Sequence, residues 1–305
     1  MIKRKNRTDE FSADNRAVIK FKISDLVMMV VLVILCLTCV LPFLHLMAKS
    51  ISSNAPVLAK EVFFWPKDVN LRAYKAIFND GQLTHSMIYS AIVVILQTVI
   101  GVSTCIMAAW PLSRKRLKGR TALNLFIMFT MYFNAGLIPT YLLLSDLKML
   151  NTMWVLILPG AFGAYNFLIM RTYFSSSIPD SLEEAAYLDG ASNIQIITKV
   201  VIPLSKPIIA TISLFIAVGR WNGYQDSKFY ITKKSLHMVQ YLLSMMVIPM
   251  DQAEQISISE ASAITTTPEV IQAAAIMFVT IPILCVYPFI QKYFVKGVMI
   301  GAVKG

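Results

Sequence analysis

No charged side chain falls between Asp25 and Lys49, and the residues between them are almost all Leu, Val, Met, Ile and Phe. A run of that length matches the hydrocarbon core of a bilayer, which a helix crosses in about 20 residues. In lipid every backbone amide and carbonyl needs an internal partner, so an uninterrupted apolar run is expected to be helical. Runs of the same kind recur at roughly 84–112, 121–145, 152–175, 207–226 and 269–294. With the first, at 24–49, they predict an all-α integral membrane protein with six transmembrane helices. Composition agrees. Only 15% of the 305 residues are charged, against about 25% in soluble domains, and the mean hydropathy is +0.63. One six-span domain, 24–294, is expected between an N-terminal tail, 1–23, and a C-terminal tail, 295–305.

The net charge of +11 invites a nucleic-acid reading, but the placement of the charges argues for topology. Lys3, Arg4, Lys5, Arg7, Arg16, Lys20 and Lys22 crowd the N-terminal tail, and Arg114 to Arg120 form a basic run after the second span. With six spans both termini share a side, and Lys and Arg favour that side about two to one. Cytoplasmic N- and C-termini follow. The tail then touches anionic lipid, no nucleic-acid partner is needed, and the basic run reads as a topological anchor.

Little here resembles catalytic chemistry. Cys36, Cys39, Cys105 and Cys285 all lie inside apolar runs, with no second ligand pair for a metal. His45, His85 and His237 are far apart, and no Gly-x4-Gly-Lys-Ser/Thr phosphate loop or Gly-x-Ser-x-Gly elbow occurs. The apolar run from Leu26 is too long for a cleavable signal peptide. Neither enzyme activity nor a bound cofactor is expected of this chain. The spans are nearly free of carboxylates, which argues against a proton-coupled carrier. Polar groups inside or at the rim of spans include Asn134, Asn166, Arg220, Trp221 and Asn222. They suit either a hydroxyl-rich solute pathway or interhelical hydrogen bonding. Arg220 needs a counter-charge at that depth, from nearby Asp226 or from an acidic substrate.

Residues 179–207 are too polar for lipid yet lie between two spans. They predict two short helices with a bend. A capping box from Asp180 with Glu183, or from Ser181 with Glu184, starts the first helix. Gly190 after Asp189 stops it, Ser192 with Gln195 caps the second, and Pro203 ends that one. Such a unit is either an amphipathic connector at the interface or a docking element for another protein. An outer loop, about 227–268, holds an apolar stretch from Met238 to Met250, expected to lie on or partly enter the outer interface.

Glu184-Ala185-Ala186, three residues, Gly190, nine residues and Val200-Val201-Ile202-Pro203 resemble the coupling motif of ABC-importer permease subunits. Gly136-Leu137-Ile138-Pro139-Thr140-Tyr141, Leu150-Asn151-Thr152, Met170-Arg171, Trp221-Asn222 and the Gly301-Ala302-Val303-Lys304-Gly305 ending are similar to the second permease of carbohydrate importers, the maltose-type partner without an extra domain. The last fifteen residues resemble a subgroup that imports oligosaccharides, some of them rich in uronic acids. The resemblance implies a type I importer in a bacterial inner membrane. This chain would pair with a homologous second permease, above two ATP-binding subunits that use ATP and Mg²⁺, and beneath an extracytoplasmic solute-binding protein. Glu183, Glu184, Ala185, Ala186, Asp189, Gly190 and Pro203 would form the ATPase-coupling element, and Gly301 to Gly305 would reach between the ATPases. In maltose-type systems most substrate contacts come from the other permease. The alternatives are a permease for another solute and a secondary carrier.

Overall fold

The computed structural model describes residues 23–247 and 267–302, with side chains for all of these except 247 and 286–302. Among the described residues every regular element is a helix. The chain divides into two units, 1–45 and 46–305. The first contributes most of α1 (Ile23–Ser50), an apolar helix that continues through Pro42.

The second unit is organised around α4 (Gln82–Ser113), which begins after Gly81, a left-handed residue at φ +68°. Before it come α2 (Asn54–Leu58) and α3 (Arg72–Asp80). After it come α5 (Arg120–Tyr132), α6 (Leu137–Asp146), α7 (Met153–Ile157), α8 (Ala164–Ser177) and α9 (Asp180–Leu188). Then follow α10 (Asn193–Leu204), α11 (Lys206–Asn222), α12 (Gln225–Tyr230), α13 (Val239–Val247) and α14 (Pro268–Ala302). Three apolar clusters line α4. Near its C-terminal end Cys105, Ala109 and Trp110 pack with Phe167, Met170 and Phe174 of α8 and with Ile208 and Ile212 of α11. Tyr89 and Val93 pack with Leu156, Ile157 and Met238. Leu83 joins Ala73, Ile77, Val239, Leu242, Val270 and Ala274. Gly101 lets α11 approach: a Cβ there would lie 2.9 Å from Ile216 Cδ1 and 3.1 Å from the Ala161 carbonyl.

Three helices among the described residues are long and apolar enough to cross a membrane, or five if each bent pair counts as one span. The expected single span at 121–145 is two helices bent by 114°. Gly136, at φ +89°, makes the corner, and its amide donates to Asn134 Oδ1 at 2.8 Å. Pro139 then sits in the first turn of α6, where no intrahelical donor is needed. The expected span at 152–175 is also broken, since residues 158–163 are not helical between α7 and α8. Lipid would not tolerate that break unless its carbonyls found partners. α4 supplies them: Gln97 Nε2 donates to Gly160 O at 3.0 Å, and Thr104 Oγ1 donates to Ala161 O at 2.8 Å.

α14 continues without a break past residue 294 to Ala302. The stretch from Met238 does not lie on a surface. Met238 and Val239 are fully buried, and the Val239 amide donates to Ser90 Oγ of α4 at 2.8 Å. Its apolar side chains find a protein core rather than the interface. Residues 248–266 of that loop lie outside the described residues.

Candidate functional site: the coupling segment

α9 has two different faces. Asp180, Glu183 and Tyr187 recur at helical spacing on one stripe, and all three engage arginines of the 114–116 segment. Arg114 is almost wholly buried. Its Nη1 donates to Ile178 O at 3.1 Å and pairs with Asp180 Oδ1 at 2.5 Å. Its Nη2 donates to Phe174 O at 3.4 Å, and Nε lies 3.4 Å from Glu183 Oε2. The guanidinium stacks 3.8 Å above the Trp110 ring, an arrangement in which the ring quadrupole offsets part of the lost hydration. Arg116 makes an ion pair with the other Glu183 oxygen and donates to Tyr187 Oη at 2.8 Å. That hydrogen bond raises the pKa of Arg116 further.

Neither capping box expected for α9 forms. Pro179 is the N-cap, and Asp180 and Glu183 turn to the arginines, where charge-assisted bonds outweigh a cap. The motif residues therefore separate. Glu183 is 4% exposed and faces inward, away from the surface that Glu184 shares. Ala186 packs against the core, while Glu184, Ala185 and Asp189 are exposed. Glu184 has no ion-pair partner among the described residues, and Leu188 beside it is 89% exposed.

The bend forms as the sequence indicates. Gly190 adopts φ +79°, its amide donates to Tyr187 O at 3.0 Å, and the Ala191 amide donates to Ala186 O at 2.9 Å. These two bonds are the Schellman pattern, which needs a left-handed residue at this position. Ser192 and Gln195 form the expected capping box of α10. Pro203 does not end that helix. A π-helical turn over Ile197–Val201 precedes it, the helix runs to Leu204, and an 84° bend follows at Ser205. The wider turn makes room for the proline ring beside the preceding carbonyls.

The expected pathway residues make separate, local contacts. Asn134 holds Gly136, and exposed Asn222 donates from Nδ2 to Val218 O at 3.0 Å. Asn166 is half-buried on α8, and Trp221 packs with the cluster around Ala274. Arg220 is buried and committed: Nη1 donates to Leu156 O at 2.8 Å and pairs with Asp226 Oδ2 at 2.7 Å. The nearby carboxylate is thus its counter-charge. Val303, Lys304 and Gly305 lie outside the described residues, while Gly301 and Ala302 close α14. Among the described residues no cluster of three His, Cys, Asp or Glu side chains can hold a metal.

Sequence reasoning missed the arginine clamp, reading 114–120 as an anchor only. The usable signal was Asp180 and Glu183 at i, i+3, acidic residues on a face that must meet something cationic. It also missed Asn151, whose Oδ1 accepts from the Thr232 amide and hydroxyl at 2.6 and 2.9 Å and from the Lys233 amide at 3.1 Å. A loop asparagine of this kind resembles any other cap until its distant partner is known.

Residues 91–300 match the family described as the binding-protein-dependent transport system inner membrane component. The chain is 39% identical over 287 residues to the polygalacturonan/rhamnogalacturonan transport system permease protein YtcP of Bacillus subtilis (strain 168), covering 94% of this chain and all of that protein. It is 38% identical over 267 residues to protein LplC of the same organism, covering 87% of this chain and 90% of that one. Among solved structures, a chain from a bacterial ABC transporter involved in the import of the acidic polysaccharide alginate superposes with a TM-score of 0.83. Identity there is 35%, over 89% of this chain and 96% of that chain. Such a permease acts with a partner permease, an ATPase and a binding protein. On this evidence of sequence and fold, the chain belongs to the binding-protein-dependent transport system inner membrane component family, as a multi-pass permease subunit of a bacterial ABC carbohydrate importer and not an enzyme.

Proposed function

We propose that this chain forms half of the pore of an importer for uronate-containing oligosaccharides and takes its energy from ATP hydrolysed by partner subunits through the outward face of α9. The observation that carries the coupling role is the division of that helix. One stripe is bound by arginines, and the other presents exposed Glu184, Ala185 and Leu188, with no ion-pair partner for Glu184 among the described residues. A small residue between an acid and an apolar side chain permits close approach of a second protein, and Gly190 sets the angle at which α10 leaves. The assembly would be one heterodimer of permeases over two ATPases with ATP and Mg²⁺. Six spans, formed by α1, α4, the α5–α6 pair, the broken 153–177 segment, α11 and α14, would put both termini and residues 179–207 in the cytoplasm. The charge bias supports that orientation. Gly301 to Gly305 would reach between the ATPases.

The substrate class is supported by two relatives, one named for polygalacturonan/rhamnogalacturonan and one from an alginate importer. Because Arg220 is held by Asp226, anion recognition falls to the partner permease and the binding protein. The test uses the purified assembly. A thermal-shift panel of neutral and uronic oligosaccharides on its binding protein should single out uronates, since ligand stabilises by mass action. Stabilisation by amino acids or peptides alone would overturn the carbohydrate reading. Glu184→Lys should leave insertion intact and separate ATP hydrolysis from uptake, and normal coupled uptake in that variant would remove the docking role of α9.

A further inference from the structure

We propose that Arg114 and Glu183, with Arg116 as the outer brace, are the joint that carries movement of α9 into the pore-forming helices. This rests on the coupling role proposed above but concerns a different set of atoms. Docking uses the outward face of α9, and the joint is its inward face.

The geometry sets this contact apart from an ordinary surface ion pair. The Arg114 and Glu183 side chains are each 5% exposed, so neither can exchange its partner for water without moving. Arg114 binds four structural pieces at once: Trp110 in α4, the Phe174 carbonyl near the end of α8, the Ile178 carbonyl in the connector, and the carboxylates of α9. A planar guanidinium offers its donors in a fixed fork, which an ammonium does not. Turning α9 therefore pulls on the end of α4 through the Arg114–Asp180 hydrogen bond and the buried Arg114–Glu183 ion pair. The same end of α4 is tied to α8 a second time. Arg171 Nε donates to Leu112 O at 3.1 Å, and Ser175 Oγ donates to Ser113 O at 3.4 Å. Arg116 and Tyr187 close the joint toward α10, because the Tyr187 hydroxyl also bonds Asn193. A push on the outward face reaches α4, α8 and α10 together. Without the buried pair, α9 still presents Glu184, Ala185 and Leu188 to an ATPase but is no longer gripped by α4.

The test is reconstitution of the complete importer in proteoliposomes with short oligogalacturonates and alginate oligosaccharides, measuring ATP hydrolysed and sugar imported in the same vesicles. Glu183→Gln keeps the shape and removes the charge. The expected result is ATPase subunits retained at wild-type stoichiometry, binding-protein-stimulated hydrolysis within about twofold, and sugar imported per ATP reduced about tenfold or more. Arg114→Lys, which keeps charge but loses the fork, should fall between. A melting temperature unchanged in Glu183→Gln while the transport ratio collapses separates transmission from mere stability. If Glu183→Gln does not assemble, Arg116→Gln and Tyr187→Phe are read instead. They lie at exposed positions, and each should lower the ratio about threefold without loss of the complex. Wild-type sugar imported per ATP in whichever variants assemble overturns the joint, as does a loss that follows ATPase detachment alone. Absence of ATP-dependent uptake in the wild-type importer with every uronate tested would instead overturn the substrate reading and leave the joint to be judged on the sugar that is carried.

Discussion

Replacing Arg220 with Met decides whether the one buried cation of α11 is a structural tie or a ligand for an acidic sugar. Its guanidinium donates to the Leu156 carbonyl at 2.8 Å and pairs with Asp226 at 2.7 Å. Leu156 is fully buried, so its carbonyl would be left unsatisfied, at a cost of about 1–3 kcal/mol. The Asp226 side chain is 44% exposed and regains water, so its half of the pair contributes only about 0–1 kcal/mol. A methionine refills most of the volume of the arginine stem. The sum is about 1–4 kcal/mol, which at about 2–4 °C per kcal/mol corresponds to roughly 2–16 °C of melting temperature. Thermal unfolding of the detergent-solubilised permease complex measures it. Below the transition, the apparent KM for uronate uptake should change less than about twofold. An unchanged melting temperature with a raised KM for uronates, and no change for neutral sugars, would refute the structural assignment and make Arg220 part of the pathway.

Three further outcomes follow from the same reasoning. Gly190→Val forces a β-branched residue to φ +79°, where no neighbouring atom obstructs the side chain but the backbone itself is strained. A cost of about 1–2 kcal/mol should unwind the α9–α10 turn and lower sugar imported per ATP with membrane insertion intact, read by proteoliposome transport and membrane fractionation. Gln97→Leu removes the donor to the Gly160 carbonyl in the broken segment, where lipid offers no other, and should cost about 1–3 kcal/mol in thermal unfolding, whereas Leu at exposed Gln225 should cost almost nothing. Burial lowers the His237 pKa, with the Lys234 charge adding to the effect and the Ile231 carbonyl opposing it. The unfolded chain therefore takes up this proton first, so stability should decline as pH falls through about 6.5. Melting temperatures at neutral and acid pH should differ by less in His237→Gln than in the wild type.

Much of the fold is legible because it rests on local rules. The apolar runs become helices, the Asn134-Ala135-Gly136 stretch becomes the corner between α5 and α6, and the Ser192–Gln195 box and the left-handed Gly190 both form. What escaped the sequence depends on partners distant in the chain. Arg114 lies 66 residues from Asp180, and no periodicity reports such a pair. The break at 158–163 is visible as Pro159 and Gly160, but its severity depends on Gln97 and Thr104 being able to satisfy the freed carbonyls. The same holds for Met238 and Val239, whose apolar character suits an interface or a core equally well until Ser90 is known to lie beneath them. Candidate site residues divided in the same way. The spacing of Glu183 and Glu184 made them equivalent in sequence, and only the arginines assign them to opposite faces.

Under the coupling role proposed for α9, the arrangement around α4 gives a short helix a route to the pore-forming helices. α4 is continuous where its neighbours are broken: α5 and α6 turn by 114°, α7 and α8 are separated by loop, and α10 and α11 turn by 84°. Each break near α4 is tied to it by a side chain or a close approach. Gln97 and Thr104 hold the gap before α8, and Gly101 admits Ile216 of α11. Ser90 holds the start of α13, and Arg114 holds α9. α4 is helical without a break over its whole length, whereas its broken neighbours have corners at which they can pivot. On the proposal above, motion imposed on α9 would enter α4 and leave through the jointed helices. Substitutions that loosen a tie, such as Gln97→Leu, should then reduce coupling efficiency more than they reduce ATPase binding. Equal losses in both would mean that α4 is only a packing centre.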